Sequence, residues 1–370
     1  MNKELMNNDR IGVAIIGLGF GLKVHMPAIR ESKYIELVSV WHPDKDKCKI
    51  ACMENNLKFY PNYNDLLQDS NIHALIITTP PSPRFILAKE ALEAGKHLLL
   101  EKPAGLNTFE IDKLQKIAIF RKLVVAVDFE YRAVPIFMQT KKIIDSESIG
   151  NLWFIKLDWL MSSRADKSRE WDWYSDSDQG GGVIGALGTH AFDIINWMFG
   201  SSQSIYGSTS TAIGKRVEKI SNRLKKVTSE DIALANLYIP NNNLNYLIPA
   251  QINLSAVCQQ GSGFNLEIYG ESGKLKLFSS NQKDYVHGFT LSLTKNGTTT
   301  ELKSDKSFEF AKTWSDGRIA PVRRIHSWWA KSIRSSSPII PGLLEASESQ
   351  KLCDLLKISA KSGLKQILNR

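Results

Sequence analysis

The chain has 370 residues, of which 43% are hydrophobic and 23% charged, with 47 lysines and arginines against 38 acidic residues and a net charge of +9. That is length for about two domains and a composition able to form packed cores, which excludes a disordered, collagenous or disulfide-stapled chain. No apolar run approaches the ~18–20 residues of a membrane span, and the opening MNKELMNNDR lacks the apolar centre of a secretion signal, so a cytoplasmic protein with no membrane partner is expected.

In chain order, Ile11–Ile16 reads as a buried strand that runs into Gly17-Leu18-Gly19-Phe20-Gly21, and a helix follows over Val24–Ser32. Ile35–Trp41 is a second strand, and Asp44 can cap a helix to about Asn55. Cys48 and Cys52 fall one helical turn apart there, but no second Cys/His pair lies near, so no metal is expected. His73–Thr79 and His97–Leu100 read as further strands around a helix Phe85–Glu93 stopped by Gly95. Asn107 and Glu110 resemble a capping box that opens a helix to about Arg121, and Leu123–Val127 closes the series as a strand. Such alternation predicts a parallel sheet covered on both faces, with ligands beyond the carboxyl ends of its strands.

The first such end is the glycine turn. Glycines there let main-chain N–H groups approach a pyrophosphate, and the helix start behind adds partial positive charge. Gly17, Gly19, Phe20 and Gly21 are therefore expected to bind a dinucleotide. The third glycine comes one residue early, because the usual G-x-G-x-x-G spacing would place it at Leu22. An acid about 20 residues beyond the glycines would hold the ribose hydroxyls of NAD; here that place holds His42, with Lys45 and Lys47 behind it. NADP(H) is expected over NAD(H), with Asp44 as the competing carboxylate.

Glu101-Lys102-Pro103 ends the strand after Gly95-Lys96-His97, and Thr79-Pro80 precedes both. Together with the glycine turn, Arg132 and Pro135, Gly180-Gly181-Gly182, Gly188-Thr189-His190 with Asp193, Tyr269-Gly270-Glu271-Ser272-Gly273 and Ser362-Gly363, this order of motifs resembles the Gfo/Idh/MocA family of oxidoreductases along nearly the whole chain. The resemblance implies an α/β protein with an N-terminal Rossmann domain, residues 1–130. It implies a second, α+β domain over residues 131–370, with a large, mainly antiparallel open sheet and a last helix that packs back on the first domain. It also implies a homo-oligomer, a dimer or tetramer built through that sheet. Alternating stretches support the sheet independently: Leu152–Trp159, Ile232–Ile239, Tyr246–Leu254, Phe264–Tyr269, Lys274–Phe278 and Phe289–Leu293. Leu343–Leu368 is periodic and helical.

By the same resemblance Thr79, Pro80, Glu101 and Lys102 contact the cofactor. Hydride transfer to or from a carbinol carbon needs a group to stabilise charge on its oxygen and one to exchange a proton. Lys102 is the candidate for the first role and His190 for the second, with Asp193 one turn further on. Relatives commonly carry an acid four residues before this histidine, where this chain has Ala186, and a histidine where it has Arg84. Arg164, Trp171, Trp173, Asp193, His190 and Lys102 are the expected substrate contacts. Trp328-Trp329 is read as helix packing, and the basic run Lys215, Arg216, Lys219, Arg223, Lys225 and Lys226 as a solvated loop or helix face. No aromatic platform or recognition helix accompanies that run, so nucleic acid is not an expected partner.

The reading is therefore an NAD(P)-dependent dehydrogenase or reductase of a polyol, sugar derivative or related carbonyl compound. Alternatives are a reductase of another carbonyl or unsaturated compound, of the dihydrodiol, imine or tetrapyrrole type, and a dinucleotide-sensing regulator without turnover.

Overall fold

The computed structural model describes residues 10–241 and 245–368. Two compact units are present: the described chain up to Ala133 with Lys312–Ser347, and Val134–Ala311 with the described chain from Glu348 onward.

The first unit holds five parallel strands: β1 (Ile11–Ile16), β2 (Ile35–Trp41), β3 (Ala74–Ile77), β4 (His97–Leu100) and β5 (Val125–Val127), in the order β2-β1-β3-β4-β5. Their side chains alternate between two cores, as the pleat requires. Ala14, Ile16, Leu75, Ile77, Leu98, Leu100, Val125 and Val127 face one core with Leu92, Ile111 and Leu114. Ile11, Val13, Ile15, Ala74, Ile76, Leu99 and Ala126 face the other with Cys48, Cys52, Ile325 and Trp329. A strand buried on both faces must be apolar throughout, which is why the sequence signal was continuous rather than alternating. The helix Ile319–Ser335, from far along the chain, covers the second face. Leu343 and Ala346, at the start of the helix Leu343–Ser362, lie in the first. Asn107 does accept from the Glu110 N–H, at 3.0 Å, but the Glu110 carboxylate returns to the Leu106 N–H, one residue earlier than in a capping box.

The second unit contains β6 (Leu152–Leu160), β7 (Ser204–Ser210), β8 (Lys215–Glu218), β9 (Arg223–Lys226), β10 (Ile232–Pro240), β11 (Leu247–Ser255), β12 (Gly263–Gly270), β13 (Gly273–Ser279), β14 (Thr290–Lys295), β15 (Thr298–Leu302) and β16 (Gln366–Ile367). Nine of these form one sheet, β15-β14-β13-β12-β6-β11-β10-β7-β16, in which the β11–β6 pair is parallel and the other pairs antiparallel. One face is apolar and buried through Ile155, Leu157, Ala235, Leu237, Leu266 and Ile268, while the alternate positions are half-buried or exposed. The expected fold, a Rossmann unit plus a large, mainly antiparallel sheet, is the fold observed.

Some elements differ from expectation. The basic run is a two-stranded hairpin of β8 and β9, with Lys215 opposite Lys226 and Arg216 opposite Lys225, rather than a loop or helix face. Its sequence gave no apolar alternation because few of its side chains are covered. Helices at Tyr63–Gln68 and Pro135–Asp145 were not anticipated. Trp329 is wholly buried on its helix, as read. No described helix is long and apolar enough to cross a membrane.

Candidate active site

β1 lies between β2 and β3, so the chain leaves it in one direction and later returns on its other side. A cleft for a ligand opens at such a reversal, beyond the strand ends. Gly17 stands there at φ +110°, a conformation that side chains resist, and its N–H donates to the Trp41 carbonyl at 2.9 Å. The three glycines divide the work. A Cβ on Gly21 would lie 2.5 Å from the Ile15 side chain, so Gly21 is the close-packing glycine despite its early position. The chain absorbs the early placing with a π turn, Gly21–His25, in which the Met26 N–H reaches the Gly21 carbonyl. A Cβ on Gly19 would meet nothing within 4 Å. The open space at Gly19 suits a pyrophosphate, and the buried Thr79 hydroxyl, which has no partner among the described residues, adds an unclaimed polar atom at the end of β3. Phe20 sits edge-on to His25, with the Arg318 guanidinium 5.2 Å from its ring. Pro80 is exposed and leads into the helix Pro81–Glu93.

Past the end of β2, His42 is half-buried, and its Nδ1 accepts the Asp44 N–H at 3.0 Å. That bond leaves Nε2 as the ring's donor. The Asp44 carboxylate is occupied locally: it caps the helix Lys45–Glu54 through the Lys47 N–H and meets the Lys47 ammonium at 3.2 Å. Lys45 is exposed beside it.

The ends of β4 and β5 carry a cluster of ionisable side chains. Leu100 pairs with Val127, so Glu101 and Lys102 emerge beside Asp128 and Glu130. Glu101, Asp128 and Glu130 are buried and Lys102 is half-buried. Arg84, 3% exposed, donates Nη1 to the carbonyls of Glu101 and Pro103 and Nη2 to that of Thr79. Burial lowers its pKa to about 10, so it stays charged at neutral pH. Behind this turn, His25 Nε2 lies 3.0 Å from Glu101 Oε1 and 3.5 Å from Asp128 Oδ2, while its Nδ1 lies 2.9 Å from His326 Nε2. Glu101 Oε2 accepts the Lys102 N–H. Burial works against the Glu101 carboxylate, but the His25 hydrogen bond and the electrostatic pull of His25, Lys102 and Arg84 outweigh it and hold its pKa below the ordinary value. Burial raises Glu130 to about 8 against the pull of Lys102, and it raises Asp128 well above the ordinary value, with the charges of Glu101 and Glu130 adding to the rise. Burial pushes His326 the other way, well below its usual range, so it is neutral.

In the second unit a π turn, Ile184–Gly188, leads into the helix Thr189–Phe199, whose first turn buries His190 and Asp193. The Thr189 carbonyl accepts the Ser349 hydroxyl at 2.6 Å, and the His190 ring lies 6.3 Å from that of Trp159. Arg164 meets Asp172 at 3.0 Å and stacks on Tyr174 at 3.8 Å. Trp171 is tied to the basic hairpin: its Nε1–H donates to the Lys226 carbonyl, and the Lys225 ammonium covers its ring at 3.5 Å. Trp173 is half-buried beside Tyr174.

The family profile described as "Oxidoreductase family, NAD-binding Rossmann fold" matches residues 11–129, and that described as "Oxidoreductase family, C-terminal alpha/beta domain" matches residues 141–366. The chain belongs to the Gfo/Idh/MocA oxidoreductase family. It is an NAD-binding oxidoreductase of that type. It is 39% identical to an uncharacterized oxidoreductase of Synechocystis over 95% of both chains. It is 23% identical to glucose-6-phosphate 3-dehydrogenase of Bacillus subtilis over 93% of this chain and 94% of that one. Among solved structures, levoglucosan dehydrogenase in complex with NADH and levoglucosan superimposes with a TM-score of 0.86 at 18% identity, covering 98% of this chain and all of that one (100%), which is a likeness of fold.

For this family member, sequence reading missed His25, Asp128, Glu130 and His326. A signal existed for His25, a histidine set among apolar neighbours in Val24-His25-Met26. None existed for His326, which meets His25 from 301 positions away.

Proposed function

We propose that the protein is a dehydrogenase or reductase that exchanges a hydride between a nicotinamide dinucleotide, with NADP(H) favoured, and a polyol, sugar derivative or related carbonyl compound. The observation that carries this reading is the half-buried Lys102 at the end of β4, on the same edge of the sheet as the open cradle at Gly19. The glucose-6-phosphate and levoglucosan dehydrogenases among the relatives support the sugar class.

The bound dinucleotide supplies a hydride acceptor or donor. Gly17, Gly19, Phe20 and Gly21 receive its phosphates, with Thr79, Pro80, Glu101 and Lys102 along the strand ends. His42 and Lys45 receive the adenosine end, where the capping bonds of Asp44 reduce its claim as a ribose acceptor. Lys102 hydrogen-bonds the reacting oxygen and stabilises the charge that develops there. His190 takes or returns the hydroxyl proton. Asp193, Arg164, Trp171 and Trp173 bind substrate. Residues 131–370 act as the substrate-binding and oligomerisation part. Dimers or tetramers form on the sheet face that exposes Tyr206 and Leu234, a point that sedimentation tests directly. The setting is the cytoplasm.

A screen of polyols, sugar acids and keto sugars with NAD(H) and NADP(H), followed at the nicotinamide absorbance, tests the reading. Turnover of a polyol or sugar upholds it. Turnover confined to imines or unsaturated carbonyls moves it to the second class of reductase. Dinucleotide binding with no turnover of any substrate class marks a regulator.

A further inference from the structure

We propose that Asp128 holds a proton that it donates to Glu101, so that the two buried carboxyls share one negative charge beside Lys102 and Asp128 is a positioning residue for that lysine. The role at Lys102 rests on the hydride-transfer reading; the shared proton does not.

Asp128 is fully buried, and neither of its carboxylate oxygens has a hydrogen-bond donor among the described residues. An ionised carboxyl in that state would forfeit all its hydration with nothing in return. Its neighbours do not supply the missing charge. His25 Nε2 is 3.5 Å away and already points at Glu101, at 3.0 Å. One ring nitrogen of His25 and one carboxyl oxygen each of Glu101 and Asp128 all lie within 4.8 Å of one another, so two carboxyls face each other in a dry site. Like charges so close in a dry site do not both persist; one carboxyl keeps its proton, and the hydrogen bond between the Asp128 and Glu101 side chains is where that proton sits.

The direction of donation follows from the partners. Glu101 already accepts twice, from His25 and from the Lys102 N–H, and it faces the cations Lys102 and Arg84. Asp128 has neither acceptance, so it is the acid and Glu101 the anion. The histidines continue the chain. His326 Nδ1 has no partner among the described residues, which places the proton of that neutral ring on Nε2, where His25 Nδ1 accepts it. His25 then donates from Nε2 to Glu101. Around the pair stand His25 from the π turn, His326 from Ile319–Ser335, Arg84 from Pro81–Glu93, and Lys102 and Glu130 from the strand ends. If Glu101 is the only anion of the pair, Asp128 fixes its orientation and hence the field felt by Lys102.

Infrared difference spectra of the full chain test this directly. At neutral pH the wild type should show the C=O band of a protonated carboxyl that vanishes in Asp128→Asn and survives in Glu130→Gln. The 15N resonance of the Lys102 ammonium, assigned by its loss in Lys102→Met, should move in Asp128→Ala and stay in place in Asp128→Asn, whose amide still donates to Glu101. A band unchanged by Asp128→Asn, equal displacement by Asn and Ala, or a stoichiometric divalent ion found by metal analysis overturns the proposal. If Asp128→Ala does not fold, the Asn spectrum alone decides. Lys102→Met with full turnover in the substrate screen would remove the catalytic role of Lys102 and leave the infrared result standing, so the two readings fail separately.

Discussion

Arg84 closes the turn that carries Lys102: its Nη1 donates to the Glu101 carbonyl at 2.6 Å and also to that of Pro103. A guanidinium is suited to this because its donors form a fixed fork. Arg84→Met would leave the Thr79, Glu101 and Pro103 carbonyls without this donor. Each orphaned buried acceptor costs about 1–3 kcal/mol, so a stability loss of about 3 kcal/mol or more is expected. Arg84→Lys should rescue little. A urea midpoint for Arg84→Met equal to that of the wild type would refute this account.

Gly19 and Gly21 should respond in opposite ways. A side chain on Gly19 enters open space, so Gly19→Val should keep the melting temperature and lose dinucleotide affinity by calorimetry. A side chain on Gly21 meets Ile15 at 2.5 Å, so Gly21→Val should lose stability first. Unchanged affinity in Gly19→Val would remove the turn from the site.

On the proposed reading NADPH should bind more tightly than NADH, because His42 and Lys45 would meet a 2′-phosphate while the Asp44 carboxylate is spent on the helix cap. His42→Asp should reverse the order by repelling the phosphate and accepting the ribose hydroxyls. Direct titration showing the wild type to prefer NADH would return the ribose to Asp44.

Lys102→Ala and His190→Ala should each lower kcat far more than they weaken dinucleotide binding. One positioned donor is worth about 3–4 kcal/mol in the transition state, hence a loss of about a hundredfold or more for Lys102→Ala. Acid/base help spans about 10²–10⁴-fold, which sets the range for His190→Ala. On the proposed roles the double variant should lose less than the product of the two, since groups that act as a unit are not additive. Near wild-type turnover in His190→Ala at neutral pH would move the proton elsewhere.

Glu130 gives stability a pH dependence. Its pKa rises from 4.5 to about 8 on folding, so the folded chain holds a proton that the unfolded chain gives up. Its contribution is present in full below the unfolded value and is lost as pH rises toward about 8. Glu130→Gln cannot ionise, so its urea midpoint should gain on the wild type across that window. Parallel curves for the two proteins would show that Glu130 does not titrate there.

The parts of the fold with a repeating apolar signal were legible. Ile11–Ile16, Ile35–Trp41 and His97–Leu100 are strands with the bounds read from the sequence; in Ile11–Ile16, covered on both faces, the side chains are apolar throughout, while in the edge strand Ile35–Trp41 the apolar run is broken only at the exposed Glu36 and at Ser39. The hairpin of Lys215–Glu218 and Arg223–Lys226 was illegible for the converse reason: it covers little and so has no pattern. Around Lys102 the motif marked the turn but not its supports. Asp128 reads as the polar end of an apolar run, and only the pairing of Leu100 with Val127 sets it beside Glu101. Arg84 reads as a departure from the family pattern; its three carbonyl partners come from the ends of two strands, which no local spacing reveals.

β16 has a protective use. Gln366 pairs with Ile205, Ile367 with Ser204, and the Leu368 N–H donates to the Gln203 carbonyl at 2.9 Å. Without these few residues part of the outer row of N–H and C=O groups on β7 would be bare, and such an edge is a template for strands of other molecules. Loss of these residues, or a proline placed among them, thus threatens solubility before it threatens the fold, by offering the freed β7 edge to other molecules.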